Sequence, residues 1–332
     1  MSLRRTIILA CSLFPGAVGA QSGVDVYERS LPTSPNLGTA CFVTSTGLHC
    51  EARWQAAFRV PPFDTFDGRR TLERITTTGT LANPFFEHVV RNDTGAPATV
   101  NFQGPTVGVS IRTVGGGRLG FFGGFGVIRP YELGAGETTS STWSGPDVSR
   151  SGDHAPFEAA SRVTVIIDCD SQFNDLTRRF TGWTTLSWIA TCEPSVKVEL
   201  HYSGARSPWT DLGGETGFMA QAGPLPILYG RGEGLPGSQI GLVVDAAPSS
   251  GAGALLLSTG RQPIPVFQSV LVPDLTTGIA VPIVAAPSGS FRLNTPAPTT
   301  SGVSFVAQAA WVAAPMSPVP VDLTNAIEFV TP

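Results

Sequence analysis

The stretch Ser195-Val-Lys-Val-Glu-Leu-His-Tyr202 decides the fold class of this chain. Apolar and polar side chains alternate along it without a break, with Val196, Val198, Leu200 and Tyr202 set against Lys197, Glu199 and His201. Successive side chains of a strand point to opposite faces, so this period of two places the apolar groups together. The stretch therefore predicts a half-buried β-strand with one wet side.

Further short apolar stretches, each bounded by turn residues, lie upstream at 85–91, 98–102, 106–112 and 161–167. The first of them stops at Asn92-Asp93-Thr94-Gly95, which is a typical turn sequence. Helical periodicity is almost absent. The best helical candidate, Glu51 to Phe58, is short and leads into Pro61-Pro62. Strands at this spacing are typical of β-sandwiches and barrels.

The chain changes character between residues 203 and 225, where linker-like Gly, Ser and Pro are frequent. Beyond this segment cysteine disappears and strands such as Ile240–Val244 are apolar on both sides, as in the centre of a compact sandwich. A chain of 332 residues also exceeds what one core usually serves. We predict an all-β protein with two β-sandwich domains, jelly-roll or Ig-like, at 21–203 and 225–332. Residues 204–224 would be the linker.

The first twenty residues have the order of a secretory signal peptide. Arg4 and Arg5 precede the apolar run from Ile7 to Phe14, and small residues end the segment at Ala20. Cleavage is expected between Ala20 and Gln21, giving a secreted protein that is extracellular, periplasmic or held at the cell surface. A lipoprotein signal with Ile8-Leu9-Ala10 before Cys11 is the alternative.

The charge balance argues against two classes of partner. Only 14% of the residues are charged, the net charge is −4, and no basic run occurs after the leader. Such a chain lacks the positive surface by which proteins bind nucleic acid. No run of 18 apolar residues follows residue 20, so the sequence predicts no membrane-spanning helix.

Four cysteines follow the leader: Cys41, Cys50, Cys169 and Cys192. An even number in an exported chain favours disulfides, and three pairings are possible. Local pairing is the preferred one, because Cys41 and Cys50 flank the turn-like Thr44-Ser45-Thr46-Gly47, and Cys169 and Cys192 bracket a stretch around Gly182. Zinc binding is disfavoured, since no Cys-x-x-Cys spacing exists.

Catalytic patterns are scarce. His49, His88, His154 and His201 are too far apart in sequence to form a helical metal-binding pair, and no Gly-x-Ser-x-Gly elbow occurs. His201, on the wet side of its strand, is interpreted as a surface residue. A triad assembled from distant residues stays open, because triads are recognised by geometry. The sequence therefore predicts no enzyme activity and no cofactor.

Two groups of carboxylates are calcium candidates. Asp168, Asp170 and Asp175 cluster after the apolar strand 161–167, and Asp64 and Asp67 precede Gly68. Carboxylate oxygens in a flexible loop suit Ca²⁺, but neither group has EF-hand spacing. Ordinary turn formation by Asp, Asn and Gly is the alternative interpretation for both groups.

Aromatic side chains raise the question of sugar binding. The glycine-rich segment from Gly115 to Gly126 is either a hairpin tip with tucked aromatics or an exposed loop that grips a partner. The six tryptophans could form a stacking platform, although core packing is expected for most of them. Trp183 and Trp188 are an odd number of residues apart, so in a continuous strand they would face opposite sides.

Residues 25–203 resemble the choice-of-anchor E domains of exported bacterial proteins. The resemblance rests on Ala57-Phe-Arg-Val-Pro-Pro-Phe-Asp64, on Arg179-Phe-Thr-Gly182 and on the strand from Val196 to Tyr202. It implies a β-sandwich of unassigned activity, usually followed by a C-terminal sorting signal. The last residues of this chain show no such signal, so anchoring by that route is not expected.

The remaining part resembles C-terminal β modules of secreted proteins in large-genome bacteria. The matching segments are Leu228-Tyr-Gly-Arg-Gly-Glu-Gly-Leu-Pro-Gly237, Gly289-Ser-Phe-Arg-Leu293, Phe305-Val-Ala-Gln-Ala-Ala310 and Thr324-Asn-Ala326. Neither resemblance implies a substrate or a catalytic residue.

The sequence as a whole predicts an exported, non-catalytic structural or adhesive protein of the bacterial cell exterior. A cell-surface polysaccharide or an envelope protein would be its partner. A carbohydrate- or surface-binding module is the first alternative, and a line of exposed aromatics on one sheet face would favour it. A secreted hydrolase is the second, and it needs a cleft in which a histidine or paired carboxylates converge.

Overall fold

The protein is described by a computed structural model at residues 22–30, 40–43, 47–112, 118–119, 129–144, 147–154, 161–175, 182–214, 226–266, 269–312 and 321–332. Every regular element in these residues is a β-strand. All the strand pairings among them are antiparallel. The all-β class predicted from the sequence is thereby confirmed. No helix in these ranges is long and apolar enough to cross a membrane.

The strands up to residue 204 form two sheets in the described part of the chain. The strands are β1 (Ser22–Ser30), β2 (Ala40–Val43), β3 (Gly47–Val60), β4 (Arg70–Asn92), β5 (Ala98–Arg112), β6 (Arg118–Leu119), β7 (Arg129–Leu133), β8 (Thr138–Ser144), β9 (Val148–His154), β10 (Ser161–Asp175) and β11 (Trp183–Gly204). One sheet has the order β1-β11-β4-β8, with β9 also paired to β4, and the other has the order β2-β3-β10-β5-β6, with β7 also paired to β5.

The strands from residue 209 onward form three further sheets. The strands are β12 (Trp209–Gly213), β13 (Ile227–Arg231), β14 (Gln239–Asp245), β15 (Ala252–Ser258), β16 (Arg261–Val266), β17 (Ser269–Pro273), β18 (Ile279–Val284), β19 (Phe291–Pro296), β20 (Ser304–Val312), β21 (Val321–Leu323) and β22 (Ala326–Val330). The orders of the three sheets are β12-β22-β20-β15-β18 with β21 paired to β20, then β13-β14-β19, and finally the pair β16-β17.

Within the described ranges, the hydrogen-bonded strand pairing stays inside each of these two sets. One part of the predicted linker 204–224 is nevertheless a strand, because β12 pairs with β22 in register from Trp209↔Phe329 to Gly213↔Ala326. The sequence of this segment did not indicate the strand at these residues. Its short, mixed sequence lacks alternation, and the partner strand is supplied by the far end of the chain. The division into two domains stays a prediction.

The strand pattern at 195–202 is confirmed by burial. Val196, Val198, Leu200 and Tyr202 are all at most 3% exposed, whereas the residues between them are half-buried. This stretch is the end of β11, where β1 pairs on one side and β4 on the other. The predicted stop at Asn92 is also confirmed, since β4 ends there and a bend follows.

Several predicted boundaries fall inside longer strands. The predicted strands 98–102 and 106–112 are one strand, β5, with a bulge that sets Gly104 and Pro105 opposite Ser171. A bulge suits proline because proline has no N–H to give to the ladder. The helical candidate Glu51–Phe58 lies in β3, which pairs with β10 along its length. Pairing with neighbouring strands outweighs the weak local preference of such a short stretch.

A bulge also changes the faces of two tryptophans. The register of β11 against β4 shifts between Thr185 and Ser187, so that Trp183 pairs with Asn92 and Trp188 with His88. These two partners are four residues apart on β4 and therefore share a face. Both tryptophans are 8% exposed. The expectation that they face opposite sides holds only for a continuous strand and is wrong here.

The later strands pack as a sandwich around β14. Leu242 and Val244 contact a buried cluster that includes Leu255 of β15 and Trp311 of β20, whereas Val243 packs on the opposite side with β13. The prediction that 240–244 is buried on both faces is therefore confirmed. The cluster joins the three-stranded sheet to the sheet of β15 and β20, as sheet-on-sheet packing requires.

Candidate functional site

A small cavity, which we call the junction cavity, lies where the two sets of strands meet. From the first set it is lined by Asp25 and Tyr27 of β1 and by residues between 61 and 70. From the second set it is lined by β12, β13 and Asn325. Its water-accessible volume is about 40 Å³, and one buried water needs roughly 10–15 Å³. The cavity has room for a few waters or a very small polar molecule.

Arg70 forms one wall of this cavity through stacking. Its side chain is 1% exposed. The Cζ atom lies 3.7 Å from the ring centroid of Tyr202, 4.6 Å from that of Phe63 and 4.8 Å from that of Phe66. A planar guanidinium is suited to such stacking, whereas a lysine ammonium is not. The three rings therefore hold a buried charge in a fixed orientation.

Asp25 and Asp64 lie beside this arginine, and the backbone carbonyl of Asp64 accepts from Arg70 Nη1 at 3.1 Å. Arg70 Nη2 donates to Asp25 Oδ2 at 2.6 Å. Asp64 Oδ1 accepts from the backbone N–H of Phe66 at 3.0 Å, and its Oδ2 accepts from that of Gly232 at 2.9 Å. Burial raises the pKa of Asp25, the Arg70 guanidinium opposes this rise, and the nearby Asp64 carboxylate adds to it. Asp25 therefore depends on Arg70 for its charge.

The two phenols of the cavity stay protonated at neutral pH. Burial raises the pKa of Tyr27 well above its usual value, and the carboxylates of Asp25 and Asp211 raise it further. Burial and a hydrogen bond to Asp245 raise the pKa of Tyr229 to about 12. The Tyr229 hydroxyl donates to Asp245 Oδ2 at 2.6 Å. Neither phenol is a nucleophile in this state, because nucleophilic attack needs the phenolate.

A second buried charge pair joins the two sets of strands. Arg29 Nη1 of β1 lies 2.6 Å from Asp211 Oδ2 of β12, with side-chain exposures of 4% and 3%. Asp211 Oδ1 accepts from Asn325 Nδ2 at 2.7 Å. Asn325 also bonds both backbone groups of Leu228, at 2.8 and 2.9 Å. This chain of contacts runs from β1 through β12 to β13.

These contacts show what the junction groups do. Each of the carboxylates of Asp25, Asp64 and Asp211 bonds to an arginine, an amide or a backbone N–H of the protein. The Asp64 and Asp211 contacts join the two sets of strands, whereas the Asp25–Arg70 pair lies within the first set. Within the described ranges, no three His, Cys, Asp or Glu side chains come together in a way that would hold a metal ion.

The first predicted disulfide is formed. Cys41 on β2 and Cys50 on β3 lie directly opposite each other and are bridged. The preferred local pairing is confirmed for these two residues. Cys169 lies on β10 and Cys192 on β11. Their side chains are outside the described part, so their pairing stays a prediction.

The two groups of calcium candidates have different outcomes. The backbone runs through Asp168, Asp170 and Asp175 as the strand β10, so the loop expected after residue 167 does not exist. Pairing with β3 and β5 on both sides keeps it extended. The side chains of these three residues are not described, and the calcium site stays a prediction there.

Asp64 and Asp67 belong to a tight turn between β3 and β4. Phe66 and Asp67 have positive φ angles of 47° and 55°, and Gly68 follows with 87°. The backbone N–H of Arg70 bonds to the carbonyl of Thr65 at 2.9 Å. The bond from Asp64 Oδ1 to the N–H of Phe66 is the side-chain-to-backbone pattern of a turn. The turn interpretation is therefore confirmed for this group.

The described histidines do not form a cluster. His49 contacts the ring of Phe42 at 4.8 Å. His201 is half-buried and its Nε2 has no hydrogen-bond partner among the described atoms, so it is not a plain surface residue. His88 is 3% exposed, with Nε2 at 3.5 Å from Cys50 Sγ. The side chain of His154 is outside the described part.

The burial of His88 makes the free energy of unfolding depend on pH. Burial lowers its pKa from 6.5 to about 4. In the unfolded chain the ring takes up a proton near pH 6.5, while in the folded chain it stays neutral down to about pH 4. The contribution of neutral His88 to the free energy of unfolding is therefore complete above pH 6.5 and declines as the pH falls through this window, by up to about 3 kcal/mol.

Urea titrations from pH 7.5 to 4.5 should show this loss of stability, and His88→Gln should make the free energy of unfolding less dependent on pH. An unchanged slope in that variant would contradict the assignment.

The predicted aromatic platform is not found among the described side chains. Trp183, Trp188 and Trp311 are buried, and Trp209 packs against Phe329 with ring centroids 4.7 Å apart. This confirms core packing for these tryptophans, while the side chains of Trp54 and Trp143 are not described. The glycine-rich segment 115–126 lies outside the described part except for the two residues of β6. Both interpretations of that segment stay predictions.

The outer face of the sheet with β4 carries a row of five hydroxyls and one carboxylate, that of Asp153, which we call the hydroxyl ladder. The ladder consists of three hydrogen-bonded pairs between β4 and β9, and all three pairs are exposed. They are Thr76 with Asp153 at 2.7 Å, Thr78 with Ser151 at 2.7 Å and Thr80 with Ser149 at 3.0 Å. Threonine suits an exposed sheet face because its branched side chain packs well on the pleated surface.

Sequence reasoning missed the junction, whose residues come from positions 25, 29, 70, 211 and 325. The sequence contained one indication of the junction. Three segments quoted for family resemblance converge at the cavity: 57–64 supplies Asp64, 228–237 supplies Tyr229, and 324–326 supplies Asn325. These motifs come from the two presumed halves, and nothing in either one indicates that it contacts the other.

Comparison with known proteins assigns no relative. No family model matches the chain, and no curated protein matches it. Among solved structures, Bacteroides uniformis β-glucuronidase 2 is 8% identical, with 92% of this chain and 32% of that chain covered and a TM-score of 0.17. Latent PorU of Porphyromonas gingivalis is 12% identical, with 94% and 20% covered and a TM-score of 0.18.

The tandem CBM22 domains of Paenibacillus barcinonensis Xyn10C are 11% identical, with 90% of this chain and 85% of that chain covered and a TM-score of 0.14. The chain thus spans about a third of the glucuronidase and a fifth of PorU. Scores this low assign neither a fold family nor an activity.

Proposed function

We propose that this chain is an exported, non-catalytic structural or adhesive protein of the bacterial cell exterior. The observation that carries the proposal is the use of the ionisable groups in the junction cavity. The Asp64 carboxylate bonds to the Gly232 amide and Asp211 bonds to Arg29, so these two hold the two sets of strands together, while Asp25 pairs with Arg70 inside the first set. A hydrolase would instead need such groups directed at a substrate.

Export is supported by the leader pattern and by the cysteines. Disulfides form and persist in oxidising compartments. The Cys41–Cys50 bridge joins two paired strands, and Cys50 is fully buried. This is the arrangement of a disulfide that belongs to the folded body.

Adhesion is supported by the hydroxyl ladder. Its Thr and Ser hydroxyls lie on an exposed, regular sheet face. Hydroxyls both donate and accept, so a row of them matches the hydroxyls of a neutral polysaccharide. In this proposal the ladder is the contact surface and the partner is a cell-surface polysaccharide.

The proposal is tested by a binding screen of the secreted chain against purified glycans and cell-envelope fractions, with and without chelator. We expect binding to a neutral polysaccharide that chelator does not abolish. Thr78→Lys together with Thr80→Lys should weaken it about tenfold, because two hydroxyl contacts are lost. Thr299→Lys, in an exposed loop of the second set, is the matched control and should leave binding unchanged.

Equal binding by the ladder variant and the wild type would remove the ladder from the proposal. Binding that chelator abolishes would instead support the calcium prediction for Asp168, Asp170 and Asp175. Turnover of a glycoside or ester panel by the purified chain would overturn the non-catalytic proposal.

A further inference from the structure

The two sulfurs of the Cys41–Cys50 bridge have very different surroundings. Cys41 lies on the exposed edge strand β2, whereas Cys50 is 0% exposed. A thiolate attacks a disulfide along the S–S axis at one sulfur, and the other sulfur leaves. Protein packing closes the approach to Cys50, so an incoming thiolate reaches only Cys41 Sγ.

The leaving sulfur has polar neighbours supplied by the opposite sheet. Cys50 Sγ lies 3.5 Å from His88 Nε2 of β4 and 3.8 Å from Thr185 Oγ1 of β11. Burial alone would disfavour a thiolate here and would make Cys50 a poor leaving group. With its proton on Nε2, the His88 ring donates to this sulfur, and the Thr185 hydroxyl is a second donor. Negative charge that develops on Cys50 is therefore stabilised inside the core.

We propose that the Cys41–Cys50 bridge is a thiol-exchange site, at which an external thiol adds covalently to Cys41 and Cys50 leaves towards His88 and Thr185. A bond forms between the incoming sulfur and Cys41 Sγ while the Cys41–Cys50 bond breaks. The electron pair passes to Cys50 Sγ. A second external thiolate then attacks the mixed disulfide, so that two thiols are oxidised to one disulfide and the protein is reduced to two thiols.

The position of β2 allows this exchange. It is a four-residue strand at the sheet edge, and the described strand paired with it is β3. Cys41 can move away from Cys50 when β2 alone shifts, without separation of the other strands. The mixed disulfide at Cys41 would thus attach a thiol-bearing partner at the surface while the core stays closed.

The test uses the oxidised full-length chain and reduced glutathione at neutral pH. Samples are quenched with N-ethylmaleimide and mapped by mass spectrometry after chymotrypsin, which cleaves after Phe42 and separates the two cysteines. We expect glutathione on Cys41 at least about tenfold over Cys50, because only one sulfur can be reached. Equal adducts on both cysteines would overturn the proposal.

Variants separate exchange in the folded state from exchange by unfolding. His88→Leu should slow adduct formation about tenfold, and His88→Gln, which retains an N–H donor, should restore most of the rate. Thr185→Val should give a smaller decrease. Val198→Ala truncates a buried residue of β11 far from the sulfurs and is the control for lost stability. If exchange requires unfolding, Val198→Ala should speed it in proportion to the stability that this variant loses. If His88→Leu also speeds exchange in that proportion, the bridge is only a structural crosslink.

Discussion

Arg70→Met is expected to lower the free energy of unfolding by about 3–5 kcal/mol, because it leaves a buried carboxylate without its counter-charge. Arg70 is 1% exposed, lies over three rings and donates to Asp25 at 2.6 Å. Methionine fills much of the same space, so the loss measures the charge and its hydrogen bonds more than a cavity. Arg70→Lys should give an intermediate loss, since it retains the charge without the planar stacking.

The pH dependence of this loss identifies its origin. Burial already raises the pKa of Asp25, and Arg70 opposes that rise. Without Arg70 the folded-state pKa of Asp25 rises further above its unfolded value, so the protonated carboxyl is favoured and stability falls as the pH increases. The destabilisation should therefore be larger at pH 8 than at pH 5.

Two further variants complete the measurement, which is made by urea titration followed by tryptophan fluorescence. Arg70→Met combined with Asp25→Asn should recover part of the stability, because the unpaired charge is gone. Arg74→Met removes an arginine that is 52% exposed and should cost less than about 1 kcal/mol. Equal losses for Arg70→Met and Arg74→Met would show that the Arg70 contacts contribute nothing beyond an exposed ion pair.

Local patterns predicted the strands whose two faces differ. Apolar and polar residues alternate in the stretch 195–202 because one face of β11 is buried and the other is not. The buried face requires apolar side chains, so the difference between the faces is visible in the sequence. The Cys41–Cys50 disulfide and the turn at Asp64 were also predictable, because in both cases the interacting residues lie close together along the chain. These features need only neighbours in sequence.

Features that depend on partner strands far away in the sequence could not be predicted from it. β10 continues through Asp168 and Asp170 because β3 and β5 pair with it on both sides. The bulge that brings Trp183 and Trp188 to one face is a property of the register with β4. In each case the partner strand lies far away along the chain, and a single sequence does not reveal which strands pair.

The junction cavity is the extreme case of this dependence. Asp25, Arg70 and Asp211 are isolated polar residues in the sequence, with nothing to distinguish them from surface residues, and the motif around Asn325 does not indicate its partners. Their importance arises from burial and from one another. A buried polar residue is expected only when it is paired, and the pairing here spans the whole chain.

Removal of the Arg29–Asp211 ion pair tests how much this contact contributes to holding the two sets of strands together. Arg29→Met is expected to lower the free energy of unfolding by about 3–5 kcal/mol, because Asp211 then stays buried without its cation. The pair lies at the approach of β1 to β12, with both side chains at most 4% exposed. Arg29 also lies over the Phe58 ring at 5.4 Å, so the variant loosens β1 on both sides.

A double-mutant cycle with Asp211→Asn isolates the coupling. The double variant should lose clearly less than the two single losses combined, since it leaves no unpaired charge. Hydrogen exchange should also quicken at the amides of β12 in Arg29→Met, whereas Arg91→Met, at an exposed pair with Asp93, should change neither measurement. If the losses in free energy of unfolding are additive and the amides of β12 exchange as slowly as in the wild type, the two sets of strands hold together without this pair. In that case Asp64 and its bond to the Gly232 amide would be the next contact to remove, because it spans the same junction at 2.9 Å.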